Sequence, residues 1–263
     1  MLGKLLKYEY KNRGRVILGV LVLLLVYSLL TLMFAALGDN FGGALGWVFD
    51  FFKVVYPILL ATVFVIALIY YPIDDFRKRL FKEQGYLTNT LPVPISKILL
   101  AKIMFDCISA IVVGLTMQLS LSIVNKDFSW ININIESIKE AIDIEGASNF
   151  EVVLIFIFII LYFFTAYILG IWTINTAYTI GHSFSKHRKA MSIVFFNVLW
   201  LTEGTLMLVI IYAIEKGSGI FLSNPGPSII AWIIGLVNLI NVIFIIANVM
   251  LSGITIKKKI NLE

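Results

Sequence analysis

The chain has 263 residues, 60% of them hydrophobic and only 14% charged, with a mean hydropathy of +0.95. A soluble domain of this length carries roughly 25% charged residues, so the composition excludes an ordinary water-soluble enzyme and specifies an integral membrane protein. The net charge of +5 matters less than its distribution, and the single cysteine, Cys107, excludes an internal disulfide framework and argues against a metal cluster.

Met1–Arg15 carries Lys4, Lys7 and Lys11 on one helical face and Leu2, Leu5 and Leu6 on another. That pattern predicts a short amphipathic helix on the anionic inner leaflet, its lysines reaching for headgroups. Span one is expected at 16–37, too long and too poorly followed for a cleavable signal. A glycine-rich turn (Gly38, Gly42, Gly43, Gly46) leads to span two at 45–71, which Pro72 is expected to end.

A charged loop, Asp74–Lys102, follows, with its soluble part at 74–97 and its centre at EQGYLTNTLPVP (Glu83–Pro94). Span three is predicted at 98–124, and residues 125–151 form a polar, acidic extracytoplasmic segment. Within it WININI alternates like a strand, whereas Ile135, Ile138 and Ile142 have helical spacing. Spans four, five and six are expected at 152–178, 190–213 and 229–256. Each run suffices to cross ~30 Å of hydrocarbon, about 20 residues of helix. Lys and Arg divide 17 to 4 between the two sets of connections, which puts both termini in the cytoplasm.

Catalytic patterns fail. The only Gly-Lys pair, Gly3-Lys4, has no glycine five residues upstream and so cannot open a phosphate-binding loop. His182 and His187 share one short loop without Cys or carboxylate neighbours, which disfavours a metal site. No enzyme, cofactor or nucleic-acid site is expected on this chain.

Two acids fall inside predicted spans, where a central charge costs roughly 2.5–3.5 kcal/mol on insertion scales. Asp106 sits one helical turn after Lys102, so the two are expected to pair near the cytoplasmic end. Glu203 has no such neighbour: Lys189 is 14 residues away, about 21 Å along a helix. It must face a cavity, find a partner on another span, or give up its charge. In span six, Asn238, Asn241, Asn248 and Ser252 share one face, suited to interhelical hydrogen bonds or to lining a path.

RLFKEQGYLTNTLPVPISKILLAK (Arg79–Lys102) is the most specific stretch. With the basic start, six spans and large external segment, it resembles the permease subunit of ATP-binding-cassette transporters of the type-2 exporter class. The resemblance implies an all-α protein of six transmembrane helices with an N-terminal interfacial helix and a cytoplasmic coupling helix between spans two and three. It implies that Glu83, Gly85, Tyr86, Leu87, Thr90, Leu91 and Pro92 dock a separate ATPase, with Ser185 and Lys186 as a smaller contact. ATP and Mg would bind that partner. Two cytoplasmic ATPase subunits, a second permease chain and membrane lipids are the expected partners, in a bacterial cytoplasmic membrane. The implied cargo is an amphipathic peptide, lipid-like molecule or drug moved outward, with Glu203, Asp106, Asn238, Asn241 and Asn248 as candidates for the path. Two rival readings are a non-transporting sensor, immunity or assembly module, and an ion-coupled secondary transporter.

Overall fold

The computed structural model describes residues 2–38, 44–81, 93–126, 135–142, 147–184, 186–218 and 226–259. Among them the regular structure is helical: α1 (Leu2–Gly38), α2 (Ala44–Val65), a π-helical turn (Ile66–Tyr70), α3 (Tyr71–Phe81), α4 (Ile95–Asn125), α5 (Ile135–Ile142), α6 (Asn149–His182), α7 (Arg188–Ser218) and α8 (Pro227–Lys259). Among the described residues six helices are long and apolar enough to cross a membrane. Each predicted span falls on one of them.

Two local features differ from the sequence reading. The N-terminal basic stretch is not set off from span one, because α1 runs unbroken over 37 residues. Its inward face continues through Glu9, Arg13, Ile17, Leu24, Ser28 and Thr31, at steps of three, four or seven, while Lys4, Lys7 and Lys11 stay exposed. Pro72 does not end span two either. The π turn shifts the hydrogen-bond register just before it, with the Tyr71 N–H donating to the Ile66 carbonyl, and the helix resumes to Phe81. Proline is tolerated there because it occupies the first turn of the resumed α3, where its missing N–H leaves little unpaired.

The chain forms two compact units, Met1–Asp75 with Leu100–Asn132, and Phe76–Leu99 with Ile133–Glu263. In the first, Leu24, Tyr56 and Leu60 make a core with Val20, Tyr27, Met117 and Leu121 around them, and the Tyr27 and Tyr56 rings stack 5.6 Å apart. Hydroxyls along these helices, such as Thr31 and Ser122, return to carbonyls one turn back, which keeps them satisfied in an apolar setting.

In the second unit α6 is the spine. Its start is fixed by a capping box: the Ser148 hydroxyl accepts from the Glu151 N–H while the Glu151 carboxylate accepts from the Ser148 N–H. The amphipathic α5 buries Ile138 against Ala147, Val152 and Phe156 beside that cap. α8 packs along one side of α6 and α7 along another, while α7 and α8 barely touch. Gly181 near the end of α6 lets the start of α7 come in, since a methyl group there would overlap the backbone of Ser192. Trp172 is fully buried, edge-on to Phe76 at 5.8 Å.

Candidate functional site

Thr165, Thr173 and Thr176 lie along one face of α6, and Asn238, Asn241, Asn248 and Ser252 along the facing side of α8. The Asn238 amide donates to the Phe158 carbonyl at 3.0 Å and its oxygen accepts from Thr165 at 3.0 Å. Asn241 reaches the same threonine hydroxyl at 3.3 Å. Two turns further along, Thr176 bonds the Asn248 carbonyl at 3.1 Å and lies 3.0 Å from the Ser252 hydroxyl. The result is a polar seam through an apolar pair of helices. Each bond is worth about 0.6 kcal/mol on average in such settings, so the seam fixes register more than it adds strength.

Glu203 enters this seam from the middle of α7. Its carboxylate accepts from the Asn248 amide at 2.6 Å and from the Thr173 hydroxyl at 2.9 Å, while Asn248 also donates to Thr173 at 3.4 Å. Among the described residues no cation pairs with it. Of the three fates open to Glu203 from sequence, the structure gives partners on two other spans together with a cavity. The cavity, about 520 Å³, is a cleft walled by α6, α7 and α8 with Tyr162, Phe196, Trp200, Phe244, Asn241 and Glu203 on its surface.

A second polar constellation lies within the first unit. The spacing expectation pairs Asp106 with Lys102, and the structure corrects it: Arg13 on α1 donates to Asp106 at 2.7 Å. Lys102 turns instead to Asp75 at 3.1 Å and Glu9 at 3.5 Å. Arg13 also lies 3.6 Å from Asp75 and stacks over the Phe105 ring at 4.7 Å. Arg13 is 1% exposed, so a residue that reads as a positive-inside flank is in fact an internal ion. Burial of five charged groups is tolerable only because each finds opposite charge.

The docking candidates Glu83, Gly85, Tyr86, Leu87, Thr90, Leu91 and Pro92, and Ser185, lie outside the described residues. Lys186 is exposed just before α7. The chain just ahead of the docking stretch is firmly held within the second unit. Phe81 meets the Tyr178 and His182 rings at 5.3 and 4.9 Å, and the Arg77 guanidinium lies 4.8 Å over Tyr178. On the far side, Pro94 immediately precedes α4, its carbonyl accepting from the Lys97 N–H at 2.9 Å.

Sequence reasoning identified the asparagine face but not the α6 threonines that answer it, nor the roles of Glu9, Arg13 and Asp75. The threonine spacing at 165, 173 and 176 was the available signal. No family model, curated protein or solved structure matches this chain.

Proposed function

We propose that the protein is the permease subunit of an ATP-driven exporter, working with a second permease chain and two cytoplasmic ATPase subunits that bind ATP and Mg. The observation that carries this reading is the segment Arg79–Lys102: a basic, motif-bearing connection between two membrane-length helices, in a chain without a phosphate-binding loop of its own. The flanks support it. An aromatic and cationic cluster pins the last turn of α3 to α6, so a push on the docking segment would be delivered to the helix that carries the polar seam. ATP-bound partners would then favour one permease state through differential affinity for it.

On this reading both termini, the N-terminal basic face and the Glu83–Pro92 coupling helix are cytoplasmic, and residues 125–151 are external. Leu87→Asp tests the docking role, because a charge placed in an apolar docking core costs several kcal/mol. The expected outcome is loss of the ATPase subunit on affinity purification of the permease, with the permease's own melting curve unchanged. Full retention of the ATPase with intact transport refutes it. Transport in proteoliposomes driven by an ion gradient, without any ATPase, would favour the secondary-transporter alternative instead.

A further inference from the structure

We propose that the cleft between α6, α7 and α8 binds a free amphipathic monovalent organic cation, held by Glu203, with the aromatic side chains of the cleft against its apolar body. The cleft is about 520 Å³ and is lined by Tyr162, Phe196, Trp200 and Phe244. That is within the ordinary range for a small-molecule site, which is mostly apolar with a few convergent polar groups. Among the polar groups of the lining Glu203 is the one carboxylic acid. Glu203 is a carboxylate that accepts from two hydrogen-bond donors and has no cation among the described residues, and Asn241 adds an amide further along the same cleft. A carboxylate in a cleft that also carries aromatic side chains is matched by an ammonium or other delocalised cation, which can gain from both the charge and the ring quadrupoles. An anion gains from neither.

Position decides between a lipid amine and a free molecule. Glu203 is 15 residues from either end of the 31-residue α7, about 22 Å along the axis in each direction. Headgroup amines sit near the ends of such a helix, so the occupant that reaches Glu203 is one that brings its charge into the hydrocarbon region within an apolar body. The rim is accessible to such a molecule from the bilayer, Trp200 being 61% exposed.

The proposal deepens the transport reading, on which the role of this cation as cargo rests, while the binding step itself needs the permease alone. The test is a fluorescence-anisotropy titration of the full chain in maltoside micelles, which carry no amine, with the cation rhodamine 6G and the neutral dye Nile red. Saturable rhodamine 6G binding is expected. Glu203→Gln should weaken it roughly tenfold or more, the equivalent of losing one charge-assisted contact, with Nile red binding and the melting curve unchanged. Gln retains an acceptor for Thr173 and Asn248, so the fold is preserved. Trp200→Ala, a change on the exposed rim, should weaken both dyes.

Equal rhodamine 6G affinity in wild type and Glu203→Gln would overturn the site. Displacement of the dye by phosphatidylethanolamine would overturn the free-cation source, and a changed oligomeric mass in Glu203→Gln would make the cleft an interface between copies. Failure of an ATPase to co-purify would refute the exporter reading while leaving this titration untouched.

Discussion

Arg13 offers the sharpest test of how the first unit is held together. Its guanidinium donates to Asp106 at 2.7 Å, lies 3.6 Å from Asp75 and covers Phe105, with both Arg13 and Asp106 almost fully buried. Arg13→Met keeps the apolar stem but strips Asp106 of its donor, stranding a buried carboxylate. Breaking a buried pair in this way costs about 3–5 kcal/mol. Asp106→Leu should fall at the lower end of that range, because Arg13 retains Asp75. The double change, Arg13→Met with Asp106→Leu, removes both charges at once and should cost less than the sum of the singles by about 2 kcal/mol. Equilibrium unfolding in mixed micelles, followed by helical circular dichroism, measures all three against wild type. Single losses under about 1 kcal/mol that simply add would refute the argument, since that is how exposed ion pairs behave.

Topology has its own test: a cysteine placed at Ser137 should react with an impermeant thiol reagent on intact cells and one at Ser185 should not, the 17-to-4 division of Lys and Arg being the reason. The reverse pattern would invert every loop assignment. Gly181→Ala should lower stability by about 1–3 kcal/mol, as overpacking does, because the added methyl meets the Ser192 backbone as well as its hydroxyl, and the backbone cannot swing away. A melting curve unchanged by that substitution would mean that α6 and α7 are not in close contact there.

The spans were legible because each is a long apolar run, and nothing but a helix satisfies its own backbone in hydrocarbon. Pro72 misled because a proline normally stops a helix, whereas a π turn upstream lets this one continue. The asparagine face of α8 was legible from its period alone. Its partners were not, since a threonine that back-bonds to its own helix, as Thr173 does to Leu169, looks the same in sequence whether or not it also reaches a neighbour. Arg13 was misread for a related reason. A cation near the start of a first span is usually a topology signal, and only the register between α1 and α4 brings it to Asp106.

The two units solve the same problem with different chemistry. Apolar burial holds helices together weakly when the surroundings are themselves apolar, so close packing and polar contacts carry more of the specificity. In the first unit full charges do this, drawn from α1, α3 and α4 and nearly sealed from solvent. In the second, neutral amides and hydroxyls join α6 to α8, and α7 hydrogen-bonds to both of them through Glu203. A helix fixed by close approach at Gly181 and by one carboxylate at mid-length, with little contact to α8, leaves space beside that carboxylate. The cleft is therefore a consequence of how little α7 touches α8, and the group that links the two is also the one placed to meet a ligand.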